Sequence, residues 1–259
     1  MTNQGSEVAN LQAAVMGAEK DTAFSGDQYD ESYPEGYQDH FWHVARIRVV
    51  LNALRRHVPK SSVVLEIGCA RGLYVAKARE AGFAAFGCDL GKPKVHDVVS
   101  DYVRTGTDFR DLDPAVLAKV SAVLLFDVLE HLDEPKDVLA QLSVAMPSLR
   151  TVIATVPARR ELWSNYDDHF GHFRRYTRLD LENLFNSAGF KSVESRYFFR
   201  FLYPPMWILS NINRSRAVAI QRPGNRWLHK VIGVVGILDA WLLPKNVWGT
   251  SVIGVAKKG

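Results

Sequence analysis

The chain has 259 residues, 47% of them hydrophobic, two cysteines and a formal charge of +4. That is ample for one large core with an appended segment; it excludes a disulfide-stapled scaffold, and the mild, scattered positive charge does not call for nucleic acid as a partner. A reducing cytoplasm is the simpler location, with the inner face of a membrane as a second expectation. Met1 to Asp21 is polar and lacks a basic start followed by an apolar stretch, so a loose tail is expected rather than a secretory signal. From His40 to Arg56, Phe41, Val44, Ala45, Ile47, Val49, Val50, Leu51 and Leu54 recur with arginines between them, which predicts an amphipathic helix.

The run Val63 to Ile67 reads as a buried strand ending on Glu66 and breaking into Gly68-Cys69-Ala70-Arg71-Gly72. Gly68 and Gly72, with small Ala70 between them, permit a tight turn in which a ligand approaches main-chain N–H groups, and Leu73 to Ala81 continues as a helix stopped by Gly82. A second apolar run, Phe83 to Asp89, ends in a carboxylate about twenty residues on, where an acid accepts both hydroxyls of a ribose. The loop lacks the full spacing that seats a pyrophosphate, and Glu66 would repel one, so a dinucleotide is not expected. Cys69 and Cys88 close the first two strands as small apolar filler beside the ligand.

Ser121 to Phe126 is a third apolar run, followed by Asp127-Val128-Leu129-Glu130-His131 and a helix from Glu134 to Met146 closed by Pro147. Thr151 to Val156 reads as a strand, Leu179 to Ala188 as a helix, and Val193 to Phe201 and Ser251 to Ala256 as late strands. Strands alternating with helices predict an α/β fold: a Rossmann-like doubly wound sheet, mostly parallel with an antiparallel last strand, with ligands at the strands' carboxyl ends. Tyr197 to Leu209 and Val231 to Leu243 are apolar but too short and too interrupted to span a bilayer. Arg214, Arg216, Arg222, Arg226 and Lys230 lie between them, a pattern that suits an interfacial anchor, an entry route for a lipid-linked substrate, a lid or a dimer contact.

The acid before the glycine loop, the acid after the second strand and the segments that follow resemble the class I S-adenosylmethionine-dependent methyltransferases from about His40 to Phe190. Ala70 stands where that family has its middle glycine. Gly106-Thr107-Asp108-Phe109 with Asp111-Leu112 is similar to the family's third signature, Phe126 to His131 to its fourth-strand exit and Val156-Pro157 to the end of its fifth. His40-Phe41-Trp42 with Arg46, and Asp168 to Tyr176, resemble segments of one bacterial subgroup acting on small molecules, glycans and lipids.

The resemblance implies S-adenosylmethionine as cofactor and S-adenosylhomocysteine as its product, with no metal. It implies cofactor contacts from Arg46, Glu66, Gly68, Cys69, Ala70, Gly72, Asp89, Leu90, Asp108, Phe109, Phe126 and Asp127. Methyl transfer to a hydroxyl also needs a base, for which a neutral histidine is suited near pH 7; His131 is the first candidate, with His169 and His172 on a lid. Glu130, Arg174, Arg175 and Tyr176 are expected to meet the substrate. Asp127, Glu130 and His131 with a distant histidine offer oxygen and nitrogen ligands, but Asp127 equally suits cofactor or substrate contact.

The expected organisation is residues 1–39 as tail and substrate-side segment, 40–200 as donor-binding core, 201–249 as an apolar C-terminal lid or insertion and 250–259 as the core's final strand. The expected activity is O-methylation of a sugar, glycan or lipid-linked acceptor, with peripheral membrane contact and an open oligomeric state. N- or C-methylation of a small metabolite and a catalytically silent donor-binding subunit are the alternatives.

Overall fold

The computed structural model describes residues 24–212 and 224–259, so the tail expected for Met1 to Asp21 and the arginines at 214, 216 and 222 lie outside the described residues. Seven strands form one sheet: Val63–Ile67 (β1), Ala84–Asp89 (β2), Val103–Thr105 (β3), Val120–Phe126 (β4), Thr151–Pro157 (β5), Phe190–Phe198 (β6) and Ser251–Lys258 (β7). Their order is β3-β2-β1-β4-β5-β7-β6. The neighbours from β3 to β5 pair in parallel, and β7 runs antiparallel to both β5 and β6.

Both faces of this sheet are covered, which is why β4 and β5 read as nearly unbroken apolar runs. Side chains alternate along a strand, so Val64, Leu124 and Ile153 join one core and Leu65, Val123 and Val152 the other. The first core is closed by Phe41–His57 (α2) and Leu73–Glu80 (α3). The second is closed by Pro135–Ala145 (α5), through Leu139 and Leu142, and by Arg178–Ser187 (α7), through Leu181 and Phe185. The chain leaves β1 toward β2 and β3 on one side and returns to β4 on the other, so a crevice opens at the carboxyl ends of β1 and β4.

Several expected bounds shift. The late strand predicted from Val193 to Phe201 runs from Phe190 to Phe198, because Phe199 takes a left-handed conformation (φ 55°) and the chain turns into a short 3-10 segment, Arg200–Leu202. Arg200 is buried there: its backbone N–H and its guanidinium both bond Asp239, and the guanidinium also reaches the carbonyls of Pro244 and Val247. Three short elements carried no periodicity to predict them: β3, Gly26–Ser32 (α1), and Asn165–His169 (α6). The remaining helices are Pro114–Leu117 (α4), Tyr203–Ile212 (α8) and Arg226–Leu242 (α9).

Both α8 and α9 stand between β6 and β7. Asn225 caps α9 by accepting the N–H groups of Trp227 and Leu228, and the helix packs closely on α2. A Cβ on Gly233 would fall 2.8 Å from Val44 and one on Gly236 2.9 Å from Ala45, so two glycines let the helices approach. No helix among the described residues is long and apolar enough to cross a membrane.

Candidate active site

A cleft of about 880 Å³ occupies the crevice, walled by the exits of β1, β2 and β4 and roofed by α1 and the start of α2. Its floor is the glycine loop. Gly68 has φ 73°, and a Cβ there would sit 2.6 Å from a Val128 methyl, so this position tolerates no side chain without movement. Ala70 also lies in the left-handed region (φ 44°), a conformation that costs a residue bearing a Cβ about 1–2 kcal/mol. Its N–H donates to Asp89 Oδ2 at 2.7 Å, which ties the loop to the end of β2.

Asp89 is buried and holds three donors: the N–H of Ala70, the N–H of Gly91 at 2.9 Å and the hydroxyl of Tyr29 from α1. Burial raises its pKa, while these hydrogen bonds favour the charged form. Leu90, Asp108, Phe109, Phe126 and Asp127 also line the cleft, as do Gly68 and Ala70. The Asp108 carboxylate is not free: it pairs with the Arg110 guanidinium at 2.8 Å and caps the short turn Phe109–Asp111.

Glu66, Cys69 and Gly72 stand outside the cleft wall. Glu66 is buried beneath the loop, where its carboxyl is pushed well above the usual range by desolvation and takes a hydrogen bond from the Val75 backbone. The Cys69 thiol fills the space over Gly87, where a Cβ would approach it to 2.7 Å. Gly72 starts α3 at φ 82°. These three shape the loop from behind.

Arg46 is buried in the wall with its guanidinium 2.6 Å from Asp127, bonded to the Thr155 hydroxyl and stacked 4.4 Å from the Trp42 ring centre. Asp127 has φ 57°, and its backbone N–H bonds the Thr155 carbonyl at 2.9 Å. Arg46 thus braces the exits of β4 and β5.

At the other end of the cleft, Glu130 (0% exposed), His131 (9% exposed) and His172 converge, each offering a ligand atom within 4.8 Å of the others'. These three are the group among the described residues able to hold a metal ion. Neither carboxyl oxygen of Glu130 has a partner, and burial, followed by the nearby Asp127, pushes its pKa well above the usual value. Burial and then His172 lower His131 to about 3, although a hydrogen bond to the Phe170 backbone opposes the shift.

His172 is held differently. Its Nδ1 lies 2.8 Å from Asp167 Oδ1, and Asp167, at 0% exposure, also accepts two bonds from Arg175, at 2.7 and 3.0 Å. A carboxylate only accepts, so Nδ1 carries the hydrogen and Nε2 is left as the acceptor. His172 and Arg175 pull Asp167 well below the ordinary carboxylate range against the opposing effect of burial.

Three further expected site residues point elsewhere. His169 pairs with Glu31 at 2.7 Å, outside the cleft wall. Arg174 donates to the Asp133 carbonyl at 2.6 Å, and the buried Tyr176 hydroxyl donates to the Leu129 carbonyl at 3.0 Å. Sequence reasoning did not single out Tyr29, Tyr33, Trp42 as a wall residue, or Asp167. The available signals were the Tyr29-Tyr33-Tyr37 spacing and the capping pair Ser164 and Asp167.

The chain matches the methyltransferase-domain family over residues 40–195. Among solved structures it is similar to magnesium protoporphyrin IX methyltransferase from Synechocystis PCC 6803 with bound S-adenosylhomocysteine: 15% identity, 90% of this chain and 93% of that one covered, TM-score 0.54. It is also similar to the Haloferax volcanii methyltransferase in complex with the activator Trm112: 17% identity, 90% and 96% covered, TM-score 0.53. A third is the plantazolicin methyltransferase BamL: 10% identity, 90% and 88% covered, TM-score 0.50. At these identities the likeness is one of fold, and no curated protein matches the chain. With the family match covering more than half of its length, on a sheet of order β3-β2-β1-β4-β5-β7-β6, the chain belongs to the class I S-adenosylmethionine-dependent methyltransferase family.

Proposed function

We propose that this protein methylates a hydroxyl group, with S-adenosylmethionine on the Asp89 side of the cleft and the acceptor beside His172. The Tyr29 hydroxyl already bonded to Asp89 supports the first part, because it does for that carboxylate what a ribose hydroxyl would do. The residues fit the donor. Gly68 and Ala70 bring backbone close to it, Asp89 takes its sugar, Leu90, Asp108 and Phe109 border its base, and the braced Arg46–Asp127 pair faces its charged end. Residues 40–200 with 250–259 thus form the donor-holding body, residues 24–39 cover the cleft, and Leu202 and Met206 flank the acceptor side.

Bound there, S-adenosylmethionine supplies a methyl group on a positively charged sulfur that leaves as a neutral thioether. The protein's tasks are alignment and removal of the acceptor's proton. The observation that carries the proton step is the Asp167–His172 pair: Asp167 fixes the imidazole with Nδ1 protonated, leaving Nε2 to take the hydroxyl proton, and the imidazolium is stabilised by the carboxylate behind it. His131, whose pKa is lowered to about 3, is a weak base and packs edge-on against His172 at 4.7 Å between ring centres. Glu130, whose carboxyl is pushed well above its usual range by burial, lines the cleft beside the acceptor position. Leu202 and Met206 add an apolar wall, which favours a lipid-linked acceptor over a free sugar or glycan hydroxyl.

The test is His172→Ala with donor-product affinity measured alongside turnover. Turnover is expected to fall by about 10²–10⁴-fold, the usual contribution of a positioned base, with little change in S-adenosylhomocysteine binding. Full activity in the variant would remove His172 as the base and favour a nitrogen or carbon acceptor that needs none.

A further inference from the structure

Fourteen of the twenty-two large hydrophobic side chains exposed among the described residues lie between Trp207 and Trp248, on α8, α9 and the segment after α9. This concentration is not accounted for by packing. The face of α9 carrying Gly233, Gly236 and Ala240 is turned to the protein, whereas Trp227 (71% exposed), Val231, Val234, Val235, Leu238 and Leu242 (75% exposed) follow helical spacing on the opposite face. The stripe extends about 24 Å at 1.5 Å per residue. A monomer in water rarely leaves such a stripe uncovered.

Charge indicates what covers it. Residues 203–249 contain Arg214, Arg216, Arg222, Arg226, Lys230 and Lys245 but a single acid, Asp239, a net +5 from six bases less one acid, in a chain whose total is +4. Asp239 is buried and engaged by Arg200, so it does not offset the exposed Arg226, Lys230 and Lys245. Arg226 and Lys230 are exposed at the edge of the apolar stripe; Asp39, 3.5 Å from Arg226, is the acid beside them. A second copy of the same face would set like charges against one another, whereas an anionic lipid surface complements both the cations and the apolar side chains. Tryptophans at positions 207, 227 and 248 suit the boundary between headgroups and acyl chains.

We propose that the outer face of α8 and α9 docks on the surface of an anionic lipid bilayer. Leu202 and Met206, at the start of this region, also line the cleft, so the docking face and the acceptor end share a wall. Docking places the cleft beside molecules carried in that surface. It does not depend on which group is methylated, and S-adenosylhomocysteine binding reads the donor site separately.

The full-length chain is mixed with vesicles of phosphatidylcholine alone or of phosphatidylcholine with phosphatidylglycerol, and the vesicles are sedimented. The protein should pellet only with the phosphatidylglycerol vesicles and be released by salt. Val235→Glu and Lys230→Glu should each reduce the bound fraction several-fold while leaving circular dichroism and S-adenosylhomocysteine affinity unchanged. Three results would overturn the proposal: wild-type protein that stays in the supernatant with both vesicles, pelleting that neither substitution weakens, or a stable dimer by light scattering that Val235→Glu splits.

Discussion

Asp167 has no access to solvent, yet it carries the charge on which the proposed proton transfer depends. Arg175 grips it with two nitrogens and His172 with one, so the carboxylate is compensated where it is buried. It acts through His172 as a positioning residue. Asp167→Asn can present an amide donor to Nδ1, which would move the imidazole hydrogen to Nε2 and remove its ability to accept. Turnover should fall by at least about 10²-fold at neutral pH and recover in part as pH rises, with KM for the donor unchanged; a uniform loss of folded protein by circular dichroism would instead make the residue purely structural.

His131 allows a prediction at the same scale. Its ordinary value is 6.5 and its folded value about 3, so between those limits the unfolded chain binds the extra proton. Stability from keeping this ring neutral is fully present above pH 6.5 and is lost progressively as pH falls toward 3. His131→Gln should therefore show a shallower fall in thermal midpoint between about pH 7 and about pH 5 than the wild type. Equal slopes would mean that the ring is already charged or solvated in the folded protein. Burial also lowers His43 and His40, so part of the slope remains in the variant. None of this was legible in the sequence, where His131 reads as the best base because its environment is invisible. The enclosure that depresses it includes Phe24 and His172, which are distant in the chain.

Among the elements, α1 has most bearing on the donor. Its seven residues are held by the reciprocal Ser25–Gln28 cap, and Gln28 also donates to the His169 carbonyl at 2.8 Å. These contacts place Tyr29 on Asp89, where its hydroxyl uses an acceptor position that the ribose would take in the proposed complex. Tyr29→Phe should tighten S-adenosylhomocysteine binding several-fold, in line with the ~0.5–1.5 kcal/mol of one net hydrogen bond. Weaker binding would show that the hydroxyl contacts the ligand rather than competing with it. A seven-residue helix with charged and aromatic residues mixed around it has too little periodicity to be recognised, whereas the seventeen residues of α2 were predicted within one residue at each end. The displaced bounds of β6 have another cause. Phe199 and Phe201 continue the apolar composition past the strand, and the buried Arg200, bonded to Asp239, Pro244 and Val247 about forty positions on, holds the turn.

For the molecule as a whole, the doubly wound sheet was readable because parallel strands buried on both faces are mostly apolar, and β1, β2, β4 and β5 are, apart from Glu66, Asp89, Ser121, Thr151 and Thr155. The position of the cleft followed from the strand order that this pattern implies. Its walls did not, because α1, α6 and α8 reach it from short segments before, after and beyond the core strands.

In the proposed complex the acid ending β2, Asp89, holds the sugar of S-adenosylmethionine. Calorimetric titration of the full-length protein with S-adenosylhomocysteine, repeated on Asp89→Asn, tests it most directly. One site per chain is expected, weakened at least about tenfold in the variant, which corresponds to ~1.4 kcal/mol. Absence of binding to the wild-type protein, or equal affinity in a folded Asp89→Asn variant, would show that Asp89 does not hold the donor's sugar.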